Sequence, residues 1–412
     1  MGRLKHHGKV CIVLASVILI AMVTKMKTSP KILANQSPSA FSNEAQRDNS
    51  SLSRSCLITN QNCPQRQLNR LRKHRIVFVK THKTGSSTVA SIFQRYGYFN
   101  GLNFLVPNCS HILAGHQPFS IAKLQNISTF DYRGGFDLLT NHVRYSRKEL
   151  DRVMPNATYV TIIRDPAAQF ESSFYYFGMY KYFPSGRDPI QLFLSHPNKK
   201  FRAMLNRSRS TTERRLMNQQ LFDLGLDLDD MQDDDAITSK IKQLDQEFDL
   251  VMISEFFDQS LLLLKKLLNL SFDDIRYFSK GVRSASYRAS MSDEVRGKIR
   301  AWNSADAKLY EHFNRTFWRR VKEYGPLFSE DLAELKRRQV RLKETCFAGT
   351  RTSDLDGRVL IPVLRNGAPL WCHTFTRLDS QYTRIIRTAM KAKGVPLYNN
   401  CVSQHRHNHI QD

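Results

Sequence analysis

The sequence predicts an α/β fold with a central, mostly parallel sheet flanked by helices. Short apolar runs at 75–80, 136–141, 158–163 and 248–253 have the length and β-branched content of buried strands. Helical patterns follow several of them, at 87–96, 167–177 and 255–269, and strand–helix alternation of this kind builds a parallel sheet. Helices near 292–322 and 329–345 complete the domain, and a further helical stretch lies near 379–393. In such sheets ligands bind at the carboxyl ends of strands.

The first strand, Ile76 to Val79, runs into Lys80-Thr-His-Lys-Thr-Gly-Ser-Ser-Thr88. Gly85 lets the backbone come close to a ligand. Ser86, Ser87 and Thr88 offer hydroxyls and are expected to cap a helix that Gly97 stops. The free N–H groups and positive end of that helix favour a phosphate or sulfate, and Lys83 adds a mobile cation. The order differs from the P-loop of nucleotide triphosphatases, where the lysine follows the second of two glycines. Here it precedes a single one.

A second strand, Tyr159 to Ile163, leads into Arg164-Asp165-Pro166, with Pro166 suited to the first turn of a helix. Ser172 lies eight residues after Arg164. Arginine offers a bidentate fork to an anion and serine a hydroxyl, so strand end and helix converge on one site.

These two segments carry a resemblance. Lys83-Thr-Gly-Ser-Ser87 resembles the 5′-phosphosulfate loop of sulfotransferases that use 3′-phosphoadenosine 5′-phosphosulfate (PAPS). Arg164 with Ser172 resembles their 3′-phosphate site. Phe78–Thr88, Asn141–Arg144, Arg164–Pro166, Glu171–Phe174, Phe222–Gly225, Ala301–Asn303, Leu309–Asn314 and Phe317-Trp318 together resemble the galactose 3-O-sulfotransferases, the family of galactosylceramide sulfotransferase, over about residues 75 to 346. The resemblance implies a P-loop-like sulfotransferase fold. It implies transfer of sulfate from PAPS, without a metal, to the 3-hydroxyl of a terminal galactose on a galactosylceramide-like glycolipid or a glycoprotein glycan. Lys83, Thr84, Gly85, Ser86, Ser87 and Thr88 then hold the phosphosulfate, Arg164 and Ser172 the 3′-phosphate, and Lys83 meets charge developing on the bridging oxygen.

The acceptor hydroxyl must lose a proton, which calls for a general base. His142 lies just past the apolar run 136–140, and neutral imidazole has a suitable pKa. Asn141-His142-Val143 also resembles the segment carrying the catalytic histidine of uronosyl 2-O-sulfotransferases. His82 is the rival base, and Glu171 a third candidate beside the 3′-phosphate site. The basic loop Lys280 to Arg288 is expected to fold over the donor, with Arg288 near phosphates and Tyr287 near adenine. Trp302 and Trp318 read as core residues.

The chain has 412 residues, 41% of them hydrophobic, with 62 Lys and Arg against 37 Asp and Glu and a net charge of +25. That balance favours anionic partners. Nucleic acid is not expected, since no zinc-finger or RNA-binding signature is present. Residues 1–9 read as a cytosolic tail and 10–24 as an uncleaved signal anchor, with a cleaved signal peptide as the competing reading. Residues 25–74, rich in Ser, Asn, Gln, Arg and Pro, form a luminal stem. Residues 75–346 form the catalytic domain, and 347–412 a cysteine-containing extension ending in alternating histidines. Asparagines 35, 49, 108, 126, 156, 206, 269 and 314 start glycosylation sequons. Cys11 sits in the anchor; Cys56, Cys63, Cys109, Cys346, Cys372 and Cys401 suffice for three disulfides. The acidic cluster between Asp227 and Asp235 reads as a solvated loop rather than a metal site.

The anchor, stem and sequons predict a single-pass type II membrane protein with its domain in the lumen, and the family resemblance implies that the membrane is that of the Golgi. The expected partners are the galactose-terminated acceptor, the membrane and a second copy in a homodimer. A uronosyl 2-O-sulfotransferase acting on glycosaminoglycans and a non-catalytic luminal lectin or scaffold are the alternatives.

Overall fold

Strand β1 (Ile76–Val79) is wholly buried and pairs in parallel with two neighbours. In this computed structural model, residues 75–124, 135–208, 212–284, 291–353 and 357–401 are described. After β1 come helix α1 (Ser86–Phe99), then β2 (Ile112–Pro118), β3 (Leu138–Leu139), β4 (His142–Arg144) and α2 (Arg147–Asp151). Strand β5 (Thr158–Ile163) leads into α3 (Pro166–Tyr176), α4 (Pro189–Leu194), α5 (Pro197–Arg207), α6 (Gln219–Asp223) and α7 (Asp234–Glu247). Strand β6 (Leu250–Ile253) precedes α8 (Phe257–Leu268).

The central sheet has the order β3-β1-β5-β6, all parallel and flanked by helices. Its strands are near-continuous apolar runs because both faces are covered. Thr161, the polar exception, is satisfied inside the sheet by donating to the Val79 carbonyl at 2.8 Å. The runs at 75–80, 158–163 and 248–253 thus form strands as their composition predicts. The run at 136–141 yields only the two-residue β3, and the chain then shifts to pair β4 with β2 in a small parallel ribbon, Ile112 opposite His142.

Gly97 does not stop α1, which continues to Phe99. A Cβ at Gly97 would lie 2.3 Å from Leu138 Cδ1 and 2.5 Å from Phe104 Cζ. Its role is to let the helix press onto β3. The hydroxyls of Ser86, Ser87 and Thr88 do not cap the helix either; Gly85, with φ +81°, is the N-cap and has no side chain to offer.

Beyond α8 the chain forms β7 (Val282–Arg283), α9 (Asp293–Trp302), α10 (Ser304–Tyr324), α11 (Phe328–Cys346), β8 (Phe347–Thr352), β9 (Val359–Leu364), α12 (His373–Thr376) and α13 (Asp379–Ala392). Strands β7, β9 and β8 make an antiparallel sheet that local composition did not reveal. Helix α13 packs on α1, and its Tyr382, Ile386 and Met390 join the same apolar core as β1 and β5. Disulfides Cys109–Cys401 and Cys346–Cys372 tie this C-terminal segment to the rest. Cys56, Cys63, the anchor over 10–24, the stem and the final histidines lie outside the described residues. Among the described residues no helix is long and apolar enough to cross a membrane.

Two further expectations are revised. Trp302 packs edge-on against Phe193 and Phe201, but Trp318 is 42% exposed, lying over Phe256 at the surface. The acidic cluster is only partly loop: Asp233 caps α7, accepting from the amides of Asp235 and Ala236, and Asp234 and Asp235 fill its first turn.

Candidate active site

The turn after β1 is curled by two left-handed residues, Lys83 at φ +60° and Gly85 at φ +81°. A Cβ at Gly85 would meet nothing nearer than Ser254 Oγ at 3.5 Å, so conformation rather than crowding calls for glycine there. The turn is braced from beneath. Thr81 donates its hydroxyl proton to the Ile162 carbonyl and pairs with the Thr84 hydroxyl at 2.7 Å, while Ser86 donates to the Thr81 carbonyl. The Thr88 hydroxyl accepts from the Lys280 amide at 3.0 Å. The Thr88 amide donates to the Gly85 carbonyl at 2.9 Å, so of the first amides of α1 those of Ser86 and Ser87 have no helical acceptor before them.

Arg164 leaves the end of β5 and donates to the Lys83 carbonyl at 3.2 Å, joining the two predicted halves directly. Its backbone is clamped by Gln220, whose Oε1 accepts from the Arg164 amide at 2.8 Å and whose Nε2 donates to its carbonyl at 2.9 Å. Helix α6, which carries Gln220, is pinned by the buried Asp306, whose carboxylate accepts from the amides of Gln220 and Leu221. Burial there pushes the Asp306 carboxyl up to about 7. Asp165 caps α3 and binds Arg300, so Arg164-Asp165-Pro166 divides its work between ligand side and helix start.

A cavity of about 1190 Å³ opens over these elements. Lys83, Gly85, Ser86, Ser87, Thr88, His142, Arg164 and Ser172 all line it. Among the described residues that line it eight are Lys or Arg and two, Glu171 and Glu213, are acidic, which suits it to a multiply charged anion. Glu171 is ion-paired with Arg283. Thr84 is buried beneath the turn and does not line the cavity. Arg288 and Tyr287 lie outside the described residues.

His142 and His82 stack at 4.2 Å between ring centroids, 17° from parallel. His142 Nδ1 lies 3.0 Å from the Lys80 carbonyl. A carbonyl only accepts, so Nδ1 carries the proton and Nε2 keeps a lone pair. Burial drives the His142 pKa well below the ordinary 6.5, aided by the charges of Lys80, His82, Arg215 and His111. The ring is therefore neutral and basic at Nε2. His82 places Nδ1 2.9 Å from Asp223 Oδ2 and donates its amide to the same oxygen at 2.8 Å. Burial lowers its pKa too, outweighing the pull of Asp223. The Lys83 ammonium sits 3.4 Å over the Tyr176 ring.

The galactose-3-O-sulfotransferase family model matches residues 2–362, most of the chain. The chain belongs to the galactose-3-O-sulfotransferase family. It is 39% identical over 286 residues to a galactosylceramide sulfotransferase of Bos taurus, covering 68% of this chain and 65% of that protein. It is 34% identical over 338 residues to galactose-3-O-sulfotransferase 2 of Sus scrofa, covering 76% and 83%. It is 37% identical over 283 residues to galactose-3-O-sulfotransferase 3 of Bos taurus, covering 66% and 64%. The chain thus spans slightly under two thirds of the bovine proteins' length.

In this family member, sequence reasoning missed three partners of the site. Asp223 reaches His82 from 141 residues away, Asp379 reaches Lys80 from 299, and Arg215 enters the cavity from the turn Thr212–Leu216. None sits in a local pattern that announces it. The matched stretch Phe222–Gly225 contained the only signal, and it did not say what Asp223 bonds.

Proposed function

We propose that this protein is a PAPS-dependent galactose 3-O-sulfotransferase of the Golgi lumen, acting on a galactose-terminated glycolipid of the galactosylceramide kind or on a glycoprotein glycan. The observation that carries this reading is the convergence of the Lys83 turn, Arg164 with Ser172, and a neutral His142 on one cationic cavity. Its volume exceeds that of most single-ligand pockets, leaving room for a nucleotide and a sugar together. Exposed sequon asparagines 156, 206 and 269 and the two disulfides support a luminal site.

PAPS supplies the activated sulfate. The residues of the chain then bind, orient and move a proton. The turn amides and the Ser87 hydroxyl hold the phosphosulfate, while Ser86 and Thr88 keep the turn in shape. Arg164 and Ser172 take the 3′-phosphate, and Arg288, which lies outside the described residues, is expected near the donor phosphates as part of the basic loop. His142 Nε2 accepts the proton of the galactose 3-hydroxyl as that oxygen bonds to sulfur. Lys83 neutralises the phosphate oxygen released when the old S–O bond breaks. Positioning and charge stabilisation do most of the work in such transfers.

The test is transfer of labelled sulfate from PAPS to galactosylceramide, lactosylceramide, N-acetyllactosamine, a core-1 disaccharide and desulfated heparan. Sulfate on a galactose 3-hydroxyl, abolished by Lys83→Ala and His142→Ala, is the expected result. Sulfation of heparan alone would replace the reading with the uronosyl one. A folded protein that does not bind PAPS would leave the lectin or scaffold reading.

A further inference from the structure

The cavity's cations do not all face the cradle. Arg215 stands on the histidine side, held by the short turn Thr212–Leu216. That turn is fixed: Leu216 is buried, its carbonyl accepts from the Trp302 indole at 2.7 Å, and Glu213 binds the Tyr182 hydroxyl at 2.8 Å. The Arg215 guanidinium lies over the face of Phe177 at 4.7 Å. Phe177 meets Tyr176 edge-to-face at 5.0 Å, and Tyr176 carries the Lys83 ammonium on its own face. Two adjacent rings at the end of α3 therefore seat two cations side by side. Phe177 also lies 6.4 Å from His82, which stacks on His142.

Asp223, the acid whose field Arg215 feels, offers it little. Asp223 spends its oxygens on the His82 amide and ring and on Gln219 Nε2 at 2.7 Å. The guanidinium feels Asp223 and Tyr176 through their fields, while burial lowers its own pKa. Holding a desolvated guanidinium beside two histidines is costly unless a ligand anion meets it. A cation resting on an aromatic face keeps its N–H donors for such an anion.

We propose that Arg215 is a catalytic residue: resting on the sulfotransferase reading above, it binds the sulfuryl oxygens in transit from the histidine side, beside Lys83, which meets the leaving phosphate oxygen. In the step, the galactose 3-oxygen forms its bond to sulfur while the bond from sulfur to the donor phosphate oxygen breaks. The hydroxyl proton passes to His142 Nε2, and adenosine 3′,5′-bisphosphate leaves with the electron pair. Charge spread over the sulfuryl oxygens is what a forked donor meets best.

Arg215→Gln and Arg215→Lys in the full chain test this, with binding of adenosine 3′,5′-bisphosphate measured by calorimetry beside steady-state transfer to the best galactoside. For Arg215→Gln, kcat is expected to fall about 10²–10³-fold, the scale of losing one oriented charge donor. Nucleotide affinity and acceptor KM should stay within about threefold, since the interaction exists only in the transition state. Arg215→Lys should recover part of the loss. The charged groups around the two histidines are Lys80, Asp223, His111 and Arg215. Removing one positive member raises the histidine pKa values, so the acid limb of the rate profile should move to higher pH. An unchanged kcat overturns the proposal, as does a loss matched in nucleotide affinity or confined to acceptor KM. Arg215→Lys serves the same comparison if the glutamine variant does not fold. A wild-type protein inactive on every galactoside overturns the underlying reading instead.

Discussion

Asp379 pairs with the ammonium of Lys80 across 299 residues of chain, and the Lys80 carbonyl holds the ring of His142. Lys80 is only 2% exposed, so this ion pair lies under the active-site turn rather than beside it. Gln94 of α1 donates to the other Asp379 oxygen at 2.7 Å, and Thr383, one turn along α13, accepts from Asn141 at 2.9 Å. Helix α13 thus touches Lys80 and Asn141, the residues on either side of His142, though it lies beyond the residues that the family model matches.

Asp379→Ala should therefore destabilise the domain by about 3–5 kcal/mol, the cost of leaving a buried charge without its partner. Thermal melting measures it directly. Ending the chain at residue 364 should go further and abolish the cooperative transition, because Tyr382, Ile386 and Met390 leave the main core and each buried apolar side chain is worth about 1.5–3 kcal/mol. A truncated chain that melts cooperatively at the wild-type temperature would refute this role.

Two glycines at the ends of one helix should respond oppositely to alanine. At Gly97 the added Cβ meets Leu138 and Phe104 well inside contact distance, so Gly97→Ala should cost about 1–3 kcal/mol of stability by overpacking. At Gly85 there is room, but the left-handed backbone costs an L-residue roughly 1–2 kcal/mol. Relief of that strain re-aims the turn amides. Gly85→Ala should weaken nucleotide binding more than it lowers the melting temperature, and Gly97→Ala the reverse.

The contrast shows what the sequence could reveal. Residues 75–88 and 158–172 were legible because strand, turn and helix start are local, and an anion cradle is built from consecutive atoms. Gly97 was misread because helix-stopping and close packing use the same residue, and only the position of Leu138 distinguishes them. The partners of the histidines were illegible for a stronger reason. Asp223, Arg215 and Asp379 act through contacts made by tertiary packing, and each resides in a short or amphipathic segment whose pattern any surface helix could show. The antiparallel sheet of β7, β8 and β9 was missed because its strands are only half-buried or exposed and lack a clean alternation.

Lys280 should make nucleotide binding proton-linked. Lys280 is a residue of the cavity lining whose ammonium donates to the Phe375 carbonyl, and burial, with Arg95 nearby, pushes that ammonium down to about 7. A lysine with a depressed folded pKa is partly neutral from pH 7 upward, whereas in the unfolded chain it stays charged to its ordinary value. A bound phosphate raises that pKa again, so binding near pH 7.5 should take up part of a proton. Calorimetry of adenosine 3′,5′-bisphosphate in buffers of different ionisation enthalpy reads the uptake. Lys280→Gln should remove it; uptake that persists in the variant would assign the proton elsewhere.

The histidine pair sets the pH behaviour of both rate and stability. His142 titrates well below 6.5 when folded and near 6.5 when unfolded, and His82 is shifted the same way. The unfolded chain then binds more protons in that interval, so the neutral histidines stabilise the fold fully above about pH 6.5, and that contribution is lost as pH falls toward the folded values. The rate follows the folded pKa instead: with Nε2 unprotonated in the free protein, kcat/KM should stay level through pH 6, where an ordinary histidine base would already have lost most of its activity. His142→Gln should lower kcat by about 10²–10⁴-fold while leaving nucleotide binding intact, and it should flatten the low-pH loss of stability by one histidine's share. Profiles of kcat/KM and melting curves between pH 5 and 8, taken on the same two proteins, check both halves, and a wild-type kcat/KM that halves near pH 6.5 would show that His142 is not the group accepting the proton.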